Sequence, residues 1–142
     1  MNKSDVVLKY LCENVSFDSR DIESDTLNNE FYRVVLFTSE NMQIAVMSMK
    51  PGTHTGAEIH DKIDQFIRFE SGEGQMLINN EIVSVKGGSS VLITKGTKHD
   101  IRNTSSTKPL KLYTIYSPPE YPENTLHRTK KDENESDKGS LL

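Results

Sequence analysis

Four side chains able to hold a metal ion lie in two short stretches of this chain. Glu58, His60 and Gln65 fall between Gly52 and Gly72, and His99 falls between Gly88 and Asn103. Side chains on a strand alternate faces, so Glu58 and His60 point one way while Ile59 points the other. By the same rule Gln65, Ile67 and Phe69 share a face of the next strand, and His99, Ile101 and Asn103 share a face of a later one. If those faces line a barrel interior, two imidazoles, one carboxylate and one amide oxygen meet. Two histidines with one carboxylate suit Fe(II), Mn(II) or Zn(II) and leave positions open for water or substrate. Gln65, neutral and a weak donor, either ligates or hydrogen-bonds a bound water. His54, in the Pro51–Gly56 loop, is either solvated or at the barrel mouth as a catalytic acid or base.

The elements that must position these groups read as strands. Phe31–Thr38 and Met42–Met49 are β-branched and aromatic runs split by a turn-like Ser39-Glu40-Asn41. The rhythm continues through Glu58–His60, Gln65–Phe69, Gln75–Ile78, Ile82–Val85, Ser90–Thr94, His99–Asn103 and Leu110–Tyr116, with Gly- and Asn-rich turns between them. Many short, evenly spaced strands predict an all-β antiparallel sandwich or barrel. No sustained helical period is present. Met42, Met47, Met49 and Met76 are expected in a pliable core, and Gly72 and Gly74 in a turn. The face carrying Phe66, opposite Gln65, needs a cover: a second sheet, the N-terminal segment or, the favoured reading, a dimer partner. Three regions follow: a polar segment 1–30, in which Val6–Leu11 forms a short strand or a helical turn; a barrel 31–127; and a tail 128–142 too polar to bury anything and expected to be disordered. Ser117–Pro122 is expected to run across the surface.

Against this background the chain resembles a single-domain cupin. The family's first motif, G-x5-H-x-H-x3–4-E-x6-G, aligns from Gly52 through His60 to Gly72; its second, G-x5-P-x-G-x2-H-x3-N, aligns from Gly88 through Gly96 and His99 to Asn103. Glu58 replaces the first histidine, Gln65 the glutamate and Thr94 the proline. The ligand charge is thereby kept near its usual value while an imidazole is exchanged for a carboxylate. Asp64-Gln65-Phe66-Ile67-Arg68 and Tyr116-Ser-Pro-Pro-Glu-Tyr-Pro122 are similar to a subgroup of small cupins labelled mannose-6-phosphate isomerase-like. The resemblance implies a jelly-roll barrel, or double-stranded β-helix, with a divalent metal inside it.

Composition narrows the partners. A length of 142 residues fits one domain, and with a net charge of −4 there is no dense basic patch for nucleic acid. Lys130-Lys131 is followed by the cancelling acids Asp132, Glu133 and Glu135. No apolar run approaches the ~18 residues that cross a bilayer, and Met1–Asp5 lacks the pattern of a secretory signal. Cys12 is the only cysteine, which points to a reducing, cytoplasmic setting. The expected partners are a small molecule in the barrel and a second copy of the chain, with no nucleic acid and no membrane.

Three functions remain open at this stage. A metal-bound sugar or sugar phosphate would be isomerised with His54 moving the proton and Lys95, Lys98 or Arg102 meeting a phosphate. Fe(II) held by Glu58, His60 and His99 would support oxygenation. The rival is a non-catalytic small-ligand binder or sensor, a reading that Gln65 favours.

Overall fold

A computed structural model of the chain describes residues 16–134. The expected element at Val6–Leu11, Cys12 and residues 135–142 lie outside the described residues. Among the described residues a helix, α1 (Ile22–Asn28), precedes nine strands: β1 Arg33–Thr38, β2 Gln43–Met49, β3 Asp64–Ser71, β4 Glu73–Ile78, β5 Glu81–Lys86, β6 Ser90–Ile93, β7 His99–Asn103, β8 Leu110–Ser117 and β9 Leu126–His127. They form a six-stranded sheet, β6-β3-β8-β2-β1-β9, packed on a three-stranded sheet, β5-β4-β7. The named strand pairs are antiparallel, giving the all-β jelly roll that the strand rhythm predicts. No helix among the described residues is long and apolar enough to cross a membrane.

The inner face of the large sheet changes character along its length. Its rungs run from Gln43, Tyr116 and Gln65 through Ala45, Thr114 and Ile67 to Met47, Leu112 and Phe69. Residues directly opposed in a sheet share a face, so one end of the sandwich is polar and the other apolar. At the apolar end Met47, Met49, Phe69, Met76, Ile101, Leu110 and Leu112 pack into one cluster. Met42 departs from the expected core set: it precedes β2 in the turn and is 51% exposed. Gly72 and Gly74 do more than turn the chain. A Cβ on Gly72, whose φ is +96°, would come within 2.5 Å of the Pro109 carbonyl oxygen, and one on Gly74 would strike the Arg102 carbonyl. Only glycine lets β4 approach β7 and the chain before β8 this closely.

Two elements went unforeseen. In α1 the Asp21 carboxylate accepts from Ser24 N at 3.0 Å, and Glu23 and Asp25 occupy the first turn, where the helix dipole favours negative charge. Its Ile22 packs, with Ile44 and Tyr113, against the buried cluster Val34, Leu36 and Val46, so this N-terminal element covers part of the large sheet's outer face. The tail also departs from expectation. Residues 130–134 are helical, and Glu133 is 4% exposed, its carboxylate paired with Arg33. The physical reason is Arg33 itself, an inward-facing guanidinium that needs a counter-charge once buried.

Candidate metal centre

The loop after β2 places the first two ligands by pairing with strands of the barrel, not by forming a strand of its own. Where a strand over Glu58–His60 was expected there is a single antiparallel bridge, Glu58 to His99, made by Glu58 N to His99 O at 2.8 Å and His99 N to Glu58 O at 3.0 Å. This exchange sets the two side chains side by side. His60 follows two residues on, and its carbonyl accepts from Gly96 N at 2.8 Å, which anchors the loop against the turn before β7.

The three tips converge. His60 Nε2 lies 3.4 Å and His99 Nε2 3.9 Å from Glu58 Oε2, and the imidazole centroids are 5.4 Å apart. One ligand atom from each residue falls within 4.8 Å of the others. Donors sharing an ion at ~2.1 Å stand ~3–3.5 Å apart, so small side-chain rotations complete the grip. Exposure of the side chains rises from 2% at His99 through 12% at His60 to 24% at Glu58, which leaves the Glu58 side open to an incoming molecule.

Both imidazoles are oriented for ligation. His99 Nδ1 donates to the Thr97 carbonyl at 3.0 Å, so its Nε2 carries the lone pair. His60 Nδ1 faces Glu120 Oε2 at 3.4 Å, the carboxylate–histidine arrangement typical of metal ligands. Neither Nε2 has a hydrogen-bond partner among the described residues, although both are buried. Buried polar atoms without partners are rare, and a cation would supply what these two lack. The residues fit a divalent ion.

Electrostatics agree with the geometry. Glu120 and then Glu58 raise the His60 pKa to about 9, against the opposing effect of burial. Burial pushes the Glu58 carboxyl up, but His60, the Arg33 charge and His99 outweigh it and hold it below the usual carboxylate value. Burial raises the Tyr116 and Tyr121 phenols, so both are neutral at ordinary pH.

Gln65 reaches the same polar end by a different route. It is 3% exposed, its Nε2 donates to Thr114 Oγ1 at 3.0 Å, and its Oε1 is buried without a partner among the described residues. On the adjacent strand it stands opposite Tyr116, whose ring meets His60 edge-on at 6.2 Å. The amide oxygen is thus free to accept from a ligand or a bound water.

His54 is not brought together with the trio. It bridges Arg102, and its Nδ1 lies 3.5 Å from Asp100 Oδ2. Asp100 and Arg102 alternate with His99 and Ile101 along β7, so the His54 side chain sits on the sheet's outer side and is 60% exposed. The candidate phosphate cations fare similarly: Arg102 Nε is engaged by Asp100 at 3.0 Å, and Lys95 and Lys98 are exposed.

Other residues around the site were not singled out from sequence. The Ser117–Pro122 segment was expected at the surface, yet its Glu120 faces His60 and its Tyr121 turns inward, 5.6 Å from Tyr116 between ring centroids. Gln43 fixes this path: its Nε2 donates to Tyr121 O at 2.7 Å, and its Oε1 accepts from Tyr121 N at 3.0 Å and Glu120 N at 3.2 Å. Arg33 lies 4.4 Å from the Tyr121 ring centroid and is paired with Glu133 inside the barrel. Period-two alternation through Val35 could have placed Arg33 inside. Asn103, the last residue of the second motif, is a staple: its Nδ2 donates to Met49 O at 3.0 Å and Lys108 O at 2.9 Å, and its Oδ1 accepts from Ser105 N at 3.0 Å.

Fold and site together define a jelly-roll barrel with a two-histidine, one-carboxylate cluster at its polar end. The cupin domain model matches residues 45–116, and the chain belongs to the cupin family. It is 38% identical over 118 residues to the protein YrkC of Bacillus subtilis (strain 168), covering 79% of this chain and 63% of that one. A protein of Acanthamoeba polyphaga mimivirus is 42% identical over 105 residues, covering 72% of this chain and 66% of its own. The chain therefore spans slightly less than two thirds of the length of these relatives. A crystal structure of a Bacillus halodurans protein superposes with a TM-score of 0.82 at 35% identity, covering 87% of this chain and 97% of that one.

Proposed function

We propose that this cupin is a metal-dependent enzyme acting on a small polar molecule that enters the barrel past Glu58. The carrying observation is the convergence of Glu58, His60 and His99 within 4.8 Å, with both imidazole Nε2 atoms unpartnered. These three would hold Fe(II), Mn(II) or Zn(II), and Gln65 Oε1 would accept from the substrate or from a bound water. A bound ion would supply Lewis-acid polarisation or, as Fe(II), oxygen activation. The chain's own contributions are positional. Glu120 holds the Nδ1 proton of His60, and Tyr116 and Tyr121 wall the site with neutral rings.

Oxygenation is the better supported of the two chemistries. Sugar or sugar-phosphate isomerisation, the reaction suggested by the mannose-6-phosphate isomerase-like label, needs a proton carrier beside the substrate. His54, the residue expected to serve, faces the opposite side of β7. The same observation favours the second reading, a binder that holds its ligand without turnover. One experiment separates them. Protein reconstituted with Fe(II), Mn(II) or Zn(II) is screened against small sugars, sugar phosphates and carboxylates for oxygen uptake and for exchange of carbon-bound protons. Oxygen consumption that disappears in His99→Ala supports the oxygenase. Solvent-proton exchange without oxygen uptake supports the isomerase, and saturable binding with neither supports the binder.

A further inference from the structure

Of the two cations that looked cancelled in the sequence, Lys130 keeps an acidic partner in the fold and Lys131 has none among the described residues. Asp132 turns back so that its Oδ2 accepts from Arg128 N at 3.0 Å, and Glu133 points inward to Arg33. Lys130 follows Glu133, with its Nζ 3.5 Å from Glu133 Oε1 and 2.6 Å from the Thr55 carbonyl oxygen. Lys131 and Arg128 keep no ion pair among the described residues, and neither does Lys50.

All four cations line one cavity of about 190 Å³, in which Glu30 is the only acid among the described residues. That is far more than the ~10–15 Å³ a single water needs. Tyr32 also lines it, its ring centroid 5.6 Å from Lys130 Nζ. Ser48, Thr53 and Thr129 also line it, and none of the lining residues belongs to the metal trio. Lys50, Arg128 and Lys131 are exposed around this one cavity, and like charges gathered at a concave surface attract an anion.

We propose that this cavity binds a phosphoryl oxyanion, free or as the ester of a small metabolite, at a site separate from the metal centre. Arg128 offers a planar pair of donors to phosphate oxygens, and Lys50 and Lys131 act as point charges beside it. The lysine stems would pack against the carbon skeleton of an ester.

Calorimetric titration of the intact, metal-loaded protein tests this, with inorganic phosphate in one arm and glycerol phosphate in the other. Saturable binding that weakens with added salt is expected in at least one arm; a stronger response to the ester identifies a phosphorylated metabolite, and equal responses identify the free ion. The double variant Lys50→Gln, Lys131→Gln, and separately Arg128→Gln, should each bind roughly tenfold more weakly while retaining the wild-type metal content. Either variant alone suffices if the other misfolds. Absence of saturable binding in both arms overturns the proposal. So does undiminished affinity in a folded variant, or binding that vanishes when a chelator strips the metal, since the anion would then sit at the metal centre. Metal content is read independently by elemental analysis, so failure here leaves the reading of the trio untouched.

Discussion

Replacing Glu133 with alanine removes the counter-charge of a guanidinium that has almost no access to water. The side chains of Arg33 and Glu133 are 2% and 5% exposed. Breaking a buried pair by deleting one partner costs ~3–5 kcal/mol, because the remaining charge is neither solvated nor paired. Arg33 retains the Tyr121 ring at 4.4 Å, the Tyr32 ring at 5.3 Å and Met47 Sδ at 3.6 Å. Each cation–π contact is worth ~0.5–2 kcal/mol and is present before and after the change, cushioning the charge without replacing the carboxylate. The lower end of the range, about 3 kcal/mol, is therefore expected. With an unfolding entropy of ~2.1 cal/mol/K per residue, a chain of this size loses ~10 °C in Tm. Thermal melts followed by circular dichroism on metal-free protein read this directly. The double replacement Arg33→Met, Glu133→Leu should recover most of the loss, since an apolar pair of similar volume avoids the desolvation cost. A Glu133→Ala protein melting within ~2 °C of wild type would refute the reasoning. The C-terminal segment would then be an ornament on the barrel and not part of it.

Further expectations follow from the same geometry. Glu120→Ala deprives His60 Nδ1 of its acceptor and should weaken metal binding ~10–100-fold in a competition titration with a chelating dye; unchanged affinity would contradict the orienting role. His60, raised to about 9 in the metal-free site from an ordinary 6.5, contributes stability that is full below pH 6.5 and lost as pH rises through 9. Metal affinity should move the opposite way over that window, because the ion displaces the same proton. Melts of chelated protein and metal titrations across the range should therefore show slopes of opposite sign. Gly74→Ala drives a methyl into the Arg102 carbonyl and toward the Leu110 side chain, and should cost ~1–3 kcal/mol in a denaturant titration.

Where information was local, the residues declared the structure. His99–Asn103 reads as a strand and forms β7 with those ends, and Leu110–Tyr116 differs from β8 by one residue. The β-branched runs and their glycine and asparagine turns state a period of two without ambiguity. Where position depended on a distant partner, the reading stopped short. Glu58 and His60 were legible as ligands from their types and spacing, but their loop is held by one bridge to His99 and one hydrogen bond from Gly96, contacts that no local pattern encodes. His54 read as either solvated or at the barrel mouth, because it neighbours the motif in sequence; its bridge to Arg102 leaves it solvated, 60% exposed. Glu133 sits in a polar tail whose composition signals disorder, and its burial follows from Arg33, which lies 100 residues away. The Pro-rich segment signalled a break in the ladder correctly, but its inward turn of Tyr121 depends on the side-chain amide of Gln43.

The central claim is that Glu58, His60 and His99 grip one ion, and elemental analysis of protein purified without chelator tests it most directly. Roughly one equivalent of Fe, Mn or Zn per chain is expected in the wild type, falling to background in His60→Ala and His99→Ala while circular dichroism still reports the β fold. A metal-free wild type that takes up no added Fe(II), Mn(II) or Zn(II), or histidine variants that keep the full equivalent, would contradict the account.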